Sequence, residues 1–138
     1  MNANFGLPEG VGNVGGAPEL EAWFGYWPTF HDAEVLSLVL ERKGDSRLRV
    51  HTWHMTNQVD ERGYYVLTKH IVVSFVLENV TDCDLGAFNH QNVLNSLTVE
   101  HGPEGYRLTL APCFGLNGSV TAKRLRIEMD PWIDAPPG

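Results

Sequence analysis

The chain has 138 residues, of which 43% are apolar and 20% charged, and its 17 acidic against 10 basic side chains leave a net charge of −7. That balance belongs to one globular domain and not to a disordered chain, and the longest apolar run, 71–77, is interrupted by Ser74 and falls far short of the roughly 20 residues that cross a bilayer. Between His70 and Tyr106 there is no Lys or Arg, while Glu78, Asp82, Asp84, Glu100 and Glu104 all fall inside that window, so the expected surface repels phosphate backbones and argues against a nucleic-acid partner.

Residues 1–18 contain Gly6, Gly10, Gly12, Gly15 and Gly16 with little to bury, and are expected to form a mobile leader. They lack the basic start and apolar stretch of a secretory signal, which makes a cytoplasmic location the expectation. A single β domain is expected over 19–134, followed by a short tail at 135–138. Within it, Leu20, Trp23 and Phe24 share the face of a short helix over 19–27, and Pro28 is expected to end that helix.

After Asp32 the pattern changes to that of strands. AEVLSLVLER places aliphatic residues on both faces, as in a central strand, and KGDS makes a turn. In RLRVHTWHM, Leu48, Val50 and Thr52 alternate with Arg49, His51 and Trp53, so this strand has one wet face and pairs with the previous one. The run from Tyr64 to Val80 reads as one long strand, bent or bulged, with a loop from Thr81 to Asn92 after it. VLNSLTVEH and YRLTLAPCF form a hairpin about GPEG, the latter with Tyr106, Leu108 and Leu110 on one face. Gly115 and Gly118 suit a turn that needs positive φ. VTAKRLRIEM closes the set, with Leu125, Ile127 and Met129 inward and Pro131 as its stop. The fold class is mostly β, an antiparallel sandwich or strongly curved sheet of six to seven strands with one short N-terminal helix, paired in sequence through short turns.

Chemistry-bearing motifs are sparse. There is no GxSxG, phosphate-binding glycine loop or CxxC pair, so no catalytic residue, metal ligand or cofactor is assigned, and Cys83 and Cys113 read as reduced structural thiols. The adjacent His31 and Asp32 leave open a metal-assisted hydrolase, with further histidines gathered at a strand end. His51 and His54 lie three apart in a strand and point to opposite faces, which prevents them from gripping one ion unless a bulge intervenes. In the architectural reading of FGYWPTFHDAEV, Trp27 and Phe30 pack under the sheet, Pro28 fixes the entry to the first strand, and Asp32 accepts backbone N–H bonds in an Asx-type turn, with His31 or Glu34 satisfying a neighbour. A structural homodimer pairing edge strands or sheet faces is a further alternative.

WPTFHDAEV followed by an aliphatic strand resembles the start of the immunity protein 50 family, small bacterial proteins predicted to neutralise toxins of polymorphic and contact-dependent systems. The similarity continues through KHIVVSF, FNHQNVLNSLTVE and YRLTLAPCFGLNGSVTAKRLRIE, and so spans roughly residues 19–130. It implies a mostly β fold, a cognate toxin as partner and no reaction catalysed. Trp27, Pro28, Phe30, His31, Asp32 and Glu34 are its motif positions. Exposed aromatics and the acidic residues Glu78, Asp82, Asp84, Glu100 and Glu104 are the candidate contacts to a toxin, made by a monomer or a homodimer.

Overall fold

In the computed structural model, which describes residues 7–133, a short helix α1 (Ala17–Phe24) precedes six strands. These are β1 (Glu34–Val39), β2 (Asp45–Val59), β3 (Tyr65–Gly86), β4 (Val93–Gly102), β5 (Gly105–Phe114) and β6 (Asn117–Pro131). They pair antiparallel in the order β1-β2-β3-β6-β5-β4, and β4 returns to β1 to close a barrel. The expected fold class is therefore seen, with its curvature carried to closure. The pairing is not sequential throughout, because β3 takes β6 as its neighbour and leaves β4 to the far side of the sheet. No helix among the described residues is long and apolar enough to cross a membrane.

Two long strands carry the curvature. The first half of β3 lies between β2 and the second half of β6, from Ile71 opposite Pro131 to Glu78 opposite Arg124. Its second half pairs with the start of β6, from Val80 opposite Ala122 to Gly86 opposite Asn117. Between them Asn79 takes a left-handed φ of 57°, and just beyond it, between Val80 and Asp82, the register slips, a bulge of the kind that turns a strand from one layer of a sheet into the next. Thr81–Gly86 is thus strand and not the start of a loop. Pairing with β6 overrides the weak strand preference of Asp82 and Asp84.

Alternation then decides what is inside. Leu48 and Val50 of β2, Val73, Phe75 and Leu77 of β3, Leu97 and Val99 of β4, Leu108 and Leu110 of β5, and Leu125 and Ile127 of β6 fill the interior. β1 departs from the two-sided strand expected of it: Val35 is buried, while Val39 and Leu40 are about half exposed, because β4 pairs with β1 only at Glu34.

The glycine-rich segment also differs from expectation. Over its described part, Val11, Val14 and Ala17 are buried in the core, linked by turns in which Val14 N–H donates to Val11 O and Ala17 N–H to Val14 O. The physical reason lies in β6. β5 accompanies it only from Gly118 to Ala122, and the segment takes up the backbone of β6 beyond that point, with Ile127 N–H donating to Gly15 O at 2.7 Å. Residues 1–6 and the tail at 135–138 lie outside the described residues. Helix α1 stops at Gly25, whose left-handed φ of 86° lets its N–H cap Glu21 O, before Pro28 is reached.

On the outer face of β2, β3 and β6 a charge network crosses three strands. Arg126 bonds Asp45, Glu78 and Glu128, Arg47 bonds Glu128 at 2.8 Å, and Arg124 bonds Glu78. Hydrogen bonds from Arg47 and Arg126 hold the Glu128 carboxyl below its ordinary value of 4.5. A depressed carboxylate pKa contributes stability above the unfolded value and loses it as pH falls through the folded one. Glu128→Gln is therefore expected to destabilise at pH 7 by at most about 1 kcal/mol, as for other exposed pairs. In urea titrations that difference from the parent chain should vanish as pH drops below the ordinary carboxylate range.

Candidate functional site

Residues 29–35, the heart of the WPTFHDAEV motif, form the seam that closes the barrel. Leu97 N–H donates to Thr29 O, Asp32 N–H to Leu94 O, Leu94 N–H to Ala33 O and Val35 N–H to Asn92 O, at 2.8–3.1 Å. Two residues of the seam are left-handed without being glycine, Phe30 and Asp32, both with φ of 65°. These turns send the motif's side chains in opposite directions. Trp27, Phe30, Ala33 and Val35 go into the core, where Phe30 meets Phe75 edge-on with ring centroids 5.6 Å apart. His31 and Asp32 go outward.

His31 Nδ1 donates to Asn95 O at 3.1 Å, and its Nε2 lies 3.6 Å from the Asp32 carboxylate, with both side chains about half exposed. The Asx-type turn expected of Asp32 is not formed. Among the described residues its carboxylate faces His31 and receives no backbone N–H, because the main chain here is committed to β4. His31 also borders a cleft of about 190 Å³ with Tyr26, Phe30 and Trp53. Asp32→Gly is expected to leave stability unchanged or raise it by up to about 1 kcal/mol, since glycine adopts positive φ without the steric cost. A urea midpoint well below that of the parent chain would show that the Asp32 carboxylate supports the seam after all.

Glu34, the last motif position, faces outward beside His51, its register partner on β2. His51 is only 8% exposed because aromatic rings enclose it. Trp132 stacks on it at 3.6 Å and 9°, Trp53 lies at 4.9 Å, and His51 Nε2 is hydrogen-bonded to His70 Nδ1 at 3.1 Å. His54, on the opposite face, has its Nδ1 2.6 Å from the Tyr26 hydroxyl, and burial raises the phenol pKa. The two histidines of HTWH therefore diverge, as strand geometry requires. Sequence reasoning missed the meeting of His51 with His70 of β3 and with Trp132, just past the end of β6, neither of which carries a signal in local spacing. Among the described residues no three His, Cys, Asp or Glu side chains are arranged to hold a metal ion.

The acidic candidates divide into two groups. Glu78 is engaged by Arg124 and Arg126, so it is part of the charge network and not a free contact. Asp82 and Glu100 belong to one outer row across four strands, Asp82 to Thr121 to Arg107 to Glu100, in which Arg107 Nε donates to Thr121 Oγ1. Asp84 opens the next row opposite Ser119, and Glu100 and Glu104 border a hollow of about 230 Å³ with His101 and Arg107. Cys83 and Cys113 are both exposed, which corrects their reading as structural thiols. Desolvation and then the flanking Asp82 and Asp84 raise the Cys83 thiol pKa, which keeps it in its less reactive form.

Searches with this chain against protein-family models, curated proteins and solved structures find no match.

Proposed function

We propose that this chain is a non-catalytic immunity protein that binds and neutralises a cognate bacterial toxin. The observation that carries the reading is the face on which β3, β4 and the β4–β5 hairpin bring together Asp82, Asp84, Glu100 and Glu104, four carboxylates around Arg107. On a chain with net charge −7, such a face attracts a basic protein and speeds its docking. The motif residues serve this function indirectly. Trp27, Phe30 and Ala33 hold the barrel closed, so the likeness in WPTFHDAEV is a likeness of scaffold, and the binding surface lies elsewhere on it. An inhibitor also needs a total interface of about 1,200–2,000 Å², which a rigid barrel face can offer without reorganising.

The test is co-expression with the product of the adjacent gene. A salt-sensitive complex, together with protection of cells from that product, is expected. Reversing Asp82 and Glu100 to lysine should slow association about tenfold or more at low salt and leave the fold intact. An adjacent product that is harmless to cells, or a toxin against which this chain gives no protection, would overturn the reading.

A further inference from the structure

Although the sheet closes, one strand overhangs it. β2 accompanies β3 only as far as Asp45 opposite Glu78. From Val80 to Gly86, β3 pairs with β6 on one side, and among the described residues nothing pairs with it on the other. Two left-handed residues bracket this stretch, Asn79 at φ 57° and Ala87 at φ 61°, and Thr81, Cys83 and the two aspartates are exposed along it. At about 3.3 Å per residue the overhang presents roughly 23 Å of unpaired strand edge. Such an edge is a ready template for another extended chain.

We infer that this edge of β3 is a docking rail for an extended, basic segment of a partner protein, which adds to the sheet as one more strand. Charge selects the partner. Asp82 and Asp84 alternate on one face, their cross-strand neighbours Thr121 and Ser119 are neutral, and among the described residues neither aspartate has an ion pair, unlike Glu78 just before them. A strand with cations at alternate positions meets both carboxylates while its backbone pairs with the rail. A second copy of this chain is disfavoured by the same residues. Two-fold antiparallel pairing about Cys83 sets Asp82 of one copy against Asp84 of the other, and like charges directly opposite destabilise a pair.

The inference rests on the edge and its charge and not on the toxin reading, so each can fail alone. The probe is a synthetic nine-residue peptide alternating lysine and threonine, added to the isotope-labelled full chain and followed by NMR and amide exchange. Shift changes and new amide protection are expected in Val80–Gly86. A peptide of the same charge, N-methylated at alternate residues, should bind about tenfold to a hundredfold more weakly, from the loss of two or three backbone hydrogen bonds. Asp82→Asn with Asp84→Asn should weaken the unmodified peptide by up to about tenfold. Equal binding of the N-methylated peptide, shift changes mapping away from β3, or dimerisation of the chain through this edge would each overturn the proposal.

Discussion

Phe30→Ala is expected to cost about 3–5 kcal/mol of folding stability, the range for removing a large aromatic from a packed core. Phe30 is 2% exposed and lies edge-on to Phe75, which is itself fully buried at the centre of β3. It is also the residue at which the seam turns, so the cavity opens where β1 and β4 are joined by few hydrogen bonds. The left-handed φ of 65° sharpens the expectation. At an ordinary strand position, glycine is worse than alanine by about 0.5–1 kcal/mol. Here alanine keeps the Cβ that a left-handed backbone penalises by about 1–2 kcal/mol, and glycine does not. Phe30→Gly should therefore be at least as stable as Phe30→Ala. Urea titration of the two variants checks both statements, and a glycine variant clearly weaker than the alanine one would show that the seam is not held in this conformation.

The parts of this fold legible in the sequence are those whose cause is local. Alternation of Leu48, Val50 and Thr52 with Arg49, His51 and Trp53 marks β2 because its two faces meet different surroundings, and the closing strand is legible for the same reason in Leu125, Ile127 and Met129. The rest depends on partners far along the chain. Thr81–Gly86 looks like a loop until β6 is laid beside it, and the glycine-rich start looks loose until β6 offers it an unpaired backbone. Val11 and Val14 were its legible signal, two apolar residues three apart among the glycines, both of which the structure buries. The candidate site divides in the same way. Strand alternation separates His51 from His54, whereas the joining of His51 to His70 and Trp132, or the placing of Asp82 and Glu100 in one row, follows from the order of strands around the barrel. Composition announced the acidic residues but could not say that Glu78 would be claimed by Arg124 and Arg126, or that Glu100 would lie opposite Arg107.

The start of the chain supplies the second large effect. Gly16→Ala is expected to destabilise the fold by more than about 3 kcal/mol, a loss confined to a few mechanisms that include strain at a special backbone conformation. A Cβ built on Gly16 would sit 1.8 Å from Ile127 O and 2.7 Å from its carbonyl carbon, both main-chain atoms of β6 that no rotamer change can move aside. Its φ of 89° adds strain even before the collision. Relief would require the segment to lift from β6, which breaks the bond from Ile127 N–H to Gly15 O and unseats Val14 and Ala17 from the core. Gly12 is the control on the same segment. It has nothing within 4 Å of a built Cβ, so Gly12→Ala should lie within about 0.5 kcal/mol of the parent chain, as for other unconstrained surface positions. Thermal and urea unfolding of the pair separates the two accounts of this segment. A strap built into the barrel gives a large loss at Gly16 and almost none at Gly12, whereas a loose leader gives none at either.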